Sequence, residues 1–192
     1  MMFHRLGLIK LINKNQLGFT LMELMLAIAI SGIITGVITT TIYQVFTGNL
    51  RTSNHMTAVR QVQNAGYWVS YDTHMAQSIG IGDDPGTATV EEFLTLTWAN
   101  WSDNETHQVV YALVDMPSGG LKNLQRSHSV DGTTGTSIIA QFVDPREKDG
   151  KPQTRCEPAS GALVLTVTAT VGAGSQEQSE TRRYEVVPRP GS

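Results

Sequence analysis

Cysteine occurs once in the 192 residues, at Cys156, so the chain can close no internal disulfide. No C-x-x-C or Cys/His cluster offers a structural zinc site. A basic excess is missing too: Lys+Arg number 14 against Asp+Glu 17, a formal charge of −3, so the balance does not steer the chain toward nucleic acid. Mean hydropathy is −0.13, which excludes a polytopic membrane protein. G-x-S-x-G, P-loop and H-E-x-x-H motifs are absent. His4, His55, His74, His107 and His128 are scattered at spacings that suggest no ligand set on one face. The expectation is a protein that is not an enzyme and holds no cofactor or metal. Internal repeats and low-complexity blocks are lacking as well, and the length fits one ordinary domain, or one domain plus an appendage.

What the chain does have is a very uneven distribution of apolar residues. Residues 1–18 carry Arg5, Lys10 and Lys14 and no acid, whereas residues 24–50 form a run of 27 positions without charge. About 20 mostly apolar residues in a helix cross a bilayer core, so this run is long enough. The basic leader favours a cytoplasmic N-terminus, and Arg51 and Arg60 on the far side weaken that bias without reversing it. Glu23 stands one turn inside the apolar helix expected from Phe19. A carboxylate at the membrane centre costs about 2.5–3.5 kcal/mol on insertion scales, and less near an interface. Either Glu23 is solvated at headgroup level, or it has a partner. Gly32 and Gly36 form a G-x-x-x-G pair that lets helix backbones approach closely in lipid. Thr39-Thr40-Thr41 is a β-branched run where the helix is expected to be weakest.

Gly18-Phe19-Thr20-Leu21-Met22-Glu23-Leu24, with Lys14 upstream and the apolar run downstream, resembles the processing site of type IV prepilins and of the pseudopilins of type II secretion. The resemblance implies cleavage between Gly18 and Phe19 by a membrane peptidase, followed by N-methylation of Phe19. It also implies that Glu23 of one subunit pairs with the Phe19 amine of its neighbour in a filament, with Gly32 and Gly36 packing the bundled helices. Two charges that are costly alone become tolerable as a pair. A secretory signal cut after Ala27-Ile28-Ala29 would bisect the helix, since apolar residues run on through Ile30, Ile33, Ile34, Val37 and Ile38. An uncleaved single-pass anchor satisfies the hydropathy but leaves Gly18, Phe19 and Glu23 unexplained.

Beyond residue 50, Met56, Val59, Val62, Gly66, Val69, Ala76 and Ile79 recur at three- and four-residue steps, with Arg51, Arg60, Gln61 and Gln63 on the other face. That spacing predicts an amphipathic helix over 51–79, stopped by the glycine-rich segment 80–86. A single helix over 19–79 would measure about 90 Å, its first half in the membrane and its second half on a soluble domain. The rest reads as β: strands over 93–98, 109–114, 121–126 as a hairpin partner, 137–143, 162–171 and 183–187. Residues 145–158 are expected to form an exposed polar loop carrying a free thiol at Cys156. Asp83, Asp84, Asp144, Glu147 and Asp149 read as solvated acids in preference to calcium ligands. Phe93, Trp98 and Trp101 read as core in preference to a partner patch. The fold class is α+β, pilin-like, with a long N-terminal helix packed on an antiparallel β-rich domain. Its organisation is 1–18 leader, 19–50 transmembrane and assembly helix, and 51–192 soluble domain, with β structure over 90–187.

The order of elements is similar to that of the J/W-type minor pseudopilins and minor pilins. There an aromatic and an acid in the last helical turns, here Trp68 and Asp72, precede a hairpin of the form Tyr-x-Leu, glycine turn, Leu, Arg. Tyr111, Leu113, Gly120, Leu124 and Arg126 match it. The likeness implies a minor pilin or pseudopilin in an initiation or tip complex of a type IV pilus or type II secretion-like filament. Its partners would be other pilin-like subunits, the prepilin peptidase/methylase and the assembly platform. The chain would sit in the cytoplasmic (inner) membrane, N-terminus inside and globular domain outside. Loss of the leader, with three positive charges and no acid, takes the formal charge from −3 to −6. The competing reading is a membrane-tethered module whose β domain captures an extracellular ligand.

Overall fold

The computed structural model describes residues 18–82, 90–100, 105–117 and 119–189. Helix α1 spans Leu21–Met75. The strands follow as β1 Ser78–Ile81, β2 Val90–Asn100, β3 Glu105–Asp115, β4 Lys122–Val130, β5 Thr133–Val143, β6 Glu147–Lys148, β7 Lys151–Pro152, β8 Arg155–Ala159, β9 Ala162–Val171 and β10 Gln178–Val186. Contacts divide the chain into two compact units, with the boundary between Val45 and Phe46.

In the first unit α1 is a single helix whose apolar side chains, from Leu21 through Val45, have no partner among the described residues and are exposed. The weak point expected at Thr39-Thr40-Thr41 is not a break. The hydroxyls of Thr39, Thr40 and Thr41 donate to the carbonyls of Thr35, Gly36 and Val37 at 2.8–2.9 Å. Back-bonding to the carbonyl four residues earlier satisfies each hydroxyl inside the helix, so the β-branched run keeps its geometry.

In the second unit the remainder of α1 packs on an antiparallel sheet of order β1-β2-β3-β4-β5-β9-β10, with β8 pairing β9. Ala58, Val62, Ala65 and Val69 of the helix meet Leu96, Val109, Leu113, Leu124, Leu163, Leu165 and Val167 of the sheet in one buried cluster. The Leu163/Leu165/Val167 alternation therefore marks the core face of β9, as its period of two requires. Polar residues at the flank of the helix dock on β5: Gln61 accepts from the Gln141 N–H at 2.8 Å, and the Asn64 amide donates to the Ile139 carbonyl. Gly66 lies against Tyr184 of β10, whose hydroxyl donates to the Val62 carbonyl at 3.1 Å. Met56, counted above on the apolar face, is exposed.

Two expectations are corrected here. The helix ends at Met75 and not at Ile79. The Gln77 N–H bonds the Thr97 carbonyl at 2.9 Å, and Ser78–Ile81 pairs with β2 through Ser78↔Thr97 and Ile81↔Leu94. Gly80 thus belongs to a strand, while residues 83–86 of the expected stop lie outside the described residues. The segment 145–158 is not an open loop. It holds the β6–β7 hairpin, turned by Asp149 and Gly150 at φ 55 and 73, and then β8. Two consecutive positive-φ residues, the second a glycine, are what a two-residue hairpin demands. Cys156 on β8 stands opposite Leu165 and packs against the core, and burial followed by the Glu157 charge pushes its thiol far above the usual range.

Candidate functional site

Gly18, Phe19 and Thr20 precede the first helical turn, and Phe19 is exposed. Thr20 caps α1. Its backbone N–H and hydroxyl donate to Glu23 Oε2 at 2.8 and 3.0 Å, and the Glu23 N–H donates to the Thr20 hydroxyl at 3.3 Å. This reciprocal Thr-x-x-Glu arrangement is a capping box, which satisfies two backbone donors that a helix start leaves orphaned. An acid in the first turn also complements the positive end of the helix dipole. Glu23 therefore has a partner within its own chain, a signal present in the sequence as Thr20 three residues before Glu23. Its second oxygen, Oε1, takes no hydrogen bond among the described residues. Gly32 and Gly36 lie on one helical face with Val37, Thr40 and Gln44, and a shallow groove runs over them. Nothing in the chain lies within 4 Å of where a Cβ would stand on Gly18, Gly32 or Gly36.

Residues 13–39 match the prokaryotic N-terminal methylation motif. The matched stretch takes in the Gly18–Phe19 junction, the capping box and both glycines of the G-x-x-x-G pair. The motif supports a type IV pilin-like protein and implies a structural subunit that is processed by prepilin peptidase and assembled into a pilus filament. The helix carrying it contains a window of mean hydropathy 2.2, long and apolar enough to cross a membrane, which fits an inner-membrane anchor. Comparison of the chain with curated proteins and with solved structures gives no match. Arg5, Lys10 and Lys14 lie outside the described residues.

The residues matched to the J/W-type order converge in the second unit. Asp72, fully buried on α1, accepts from Arg126 Nε at 2.7 Å and Nη2 at 2.9 Å, and from the Tyr111 hydroxyl. Tyr111 and Arg126 are direct partners across β3 and β4. The Arg126 guanidinium also stands 5.0 Å from the centre of the Trp68 ring, a cation–π contact. Burial, then the Asp72 charge, drives the Tyr111 phenol far above its ordinary range, so it acts only as a donor.

Next to this group two of the histidines that look scattered in sequence, His107 and His128, come together. Trp98 on β2 is the register partner of His107 on β3, their rings 5.2 Å apart and nearly parallel. His107 Nδ1 and His128 Nε2 lie 3.1 Å apart, so one of them carries the proton of an N–H···N bond. Burial, then the positive charges of Arg126 and His107, lowers the His128 value. These three rings, Tyr71 and Met75 border a cleft of about 490 Å³. Phe93 is buried in the core, Trp98 packs at its edge, and Trp101 lies outside the described residues. Asp144, expected above as a solvated acid, is buried instead, with both oxygens engaged by Arg146 and one by the Thr170 hydroxyl, whereas Glu147 and Asp149 are exposed as expected. Asp83 and Asp84 lie outside the described residues.

Proposed function

We propose that this protein is a minor pilin or pseudopilin, a structural subunit of a type IV pilus or type II secretion-like filament placed in its initiation or tip complex. The match of residues 13–39 to the methylation motif carries the reading. Peptidase cleavage between Gly18 and Phe19 frees an amine four residues before Glu23, which closes the capping turn, and N-methylation follows. In the filament the free Oε1 of Glu23 receives the Phe19 amine of a neighbouring subunit, while Gly32 and Gly36 seat that neighbour's helix. The N-terminus faces the cytoplasm, and the β-rich domain lies on the outer side of the membrane. The J/W-type assignment is supported by the convergence of Trp68, Asp72, Tyr111 and Arg126.

The test is the intact mass and N-terminal residue of the protein recovered from its own membranes. A chain that starts at Phe19 and carries one methyl group is expected, and Glu23→Ala is expected to be processed but excluded from filaments. A chain that keeps its leader, or a Glu23→Ala subunit that enters filaments at the normal rate, overturns the reading in favour of the membrane-tethered binding module.

A further inference from the structure

The β6–β7 hairpin breaks a rule of strand pairing. Lys148 and Lys151 are direct register partners across it, and like charges placed opposite each other repel. Neither lysine has a carboxylate at salt-bridge distance among the described residues. The hairpin is nevertheless anchored at its base. Its base is stapled to β9, where the Thr168 N–H donates to the Thr154 hydroxyl at 3.2 Å and the Thr168 hydroxyl donates to the Gln153 carbonyl at 3.0 Å. Both lysines are therefore held over the outer face of β8, β9 and β10, and the space between is a pocket of about 390 Å³.

The floor of that pocket is built from donors. Arg155 on β8 is the register partner of Thr166 on β9, and the next row pairs Thr168 with Thr181 of β10. The Thr166 side chain is buried, and its hydroxyl has no hydrogen-bond partner among the described residues. Arg155 Nε is likewise buried without a hydrogen bond, although Glu157 Oε1 stands 3.2 Å away, and Arg155 Nη1 donates to the Pro152 carbonyl at 3.0 Å. Asp149, at the hairpin turn, is the one acid lining the pocket. Lys148, Lys151 and Arg155 outnumber the lining acid Asp149 and the Glu157 carboxylate paired with Arg155, and with the unpartnered Thr166 hydroxyl this leaves a surplus of donors and positive charge. Such a surplus is matched by a group with several acceptor oxygens and negative charge.

We propose that this pocket binds an oxyanion, phosphate or sulfate, either free or as a monoester on a larger molecule. The anion sits between Lys148 and Lys151, relieves their repulsion, and accepts from Arg155 and Thr166 on the floor. The site is remote in kind from the processing motif, and it stands whether or not the filament reading does.

The test uses the full chain in non-ionic detergent, with its melting temperature followed as sodium sulfate or phosphate is added against sodium chloride at matched ionic strength. Sulfate stabilises folded proteins generally by exclusion from their surface, so variants decide the outcome. A saturable rise in Tm is expected, with one radiolabelled sulfate retained per chain in equilibrium dialysis. The Lys148→Gln/Lys151→Gln pair should abolish both, while Arg60→Gln, an exposed cation on α1, should leave both unchanged. In anion-poor buffer the double variant should melt no lower than the parent, because it has lost only a repulsion. Thr166→Val should fold and bind more weakly. A response that survives the double substitution overturns the proposal, and so does a double variant that melts well below the parent without anion. Glycerol phosphate in place of inorganic phosphate separates the sources: a tighter response to the ester supports a group borne on a larger molecule, a tighter response to the free ion supports the ion itself, and no response to either overturns the site.

Discussion

Arg126 holds Asp72 through two parallel hydrogen bonds, Nε to Oδ2 at 2.7 Å and Nη2 to Oδ1 at 2.9 Å, and so ties β4 to the last turn of α1. Removing one member of a buried pair strands the other charge, which costs about 3–5 kcal/mol. Arg126→Met is expected to destabilise the chain by that order, measured by urea unfolding followed through tryptophan fluorescence. The Asp72→Leu/Arg126→Met double variant should lose less than the two single variants together, since no unpaired charge remains.

Gly66 is required by space. A Cβ there would stand 2.1 Å from Tyr184 Cζ. Forcing extra atoms into packed contacts costs about 1–3 kcal/mol, so Gly66→Ala is expected to lower stability by that order. Tyr184→Leu should recover part of the loss in the Gly66→Ala background. A double-mutant cycle of unfolding free energies measures the coupling, and additive effects would contradict the contact.

Cys156 should be chemically silent in the folded chain. Thiolate is the reactive form, and burial together with Glu157 holds this thiol protonated. Labelling with iodoacetamide at pH 8 is expected to be negligible in native protein and complete in urea, read by intact mass.

Acid should weaken the fold through Asp144. Burial raises its value, but the side-chain and backbone hydrogen bonds of Arg146 and the Thr170 hydroxyl outweigh that and hold it below 3.8. The unfolded chain then binds the proton more readily, so the stabilisation is complete above the unfolded value and is lost as pH falls through the folded one. Arg146→Gln should melt below the parent near neutral pH, and the gap should close at the acid end of a Tm–pH series.

The long helix and the α+β class are legible because a run of 27 uncharged residues and a three/four spacing are strong, local signals. The 109–126 hairpin and the alternation in β9 are legible for the same reason, since each extends over several periods. The end of α1 is not, because Ala76 and Ile79 continue the helical spacing while the backbone at Gln77 turns to bond Thr97. The β6–β7 hairpin escapes because two-residue strands carry no period, and only Asp149-Gly150 hints at the turn. The Thr20–Glu23 box is readable from spacing, yet the processing motif already supplies a reason for Glu23. His107 and His128 meet only through strand register, which a turn longer than two residues leaves open.

Because Tyr111 and Arg126 are register partners and both reach Asp72, the helix reads the alignment of β3 and β4. A slip of β4 by one residue would turn Arg126 to the opposite face and leave the buried Asp72 carboxylate without its counter-ion. A misaligned sheet therefore penalises helix docking, and the Asp72 site proofreads strand alignment as the domain closes.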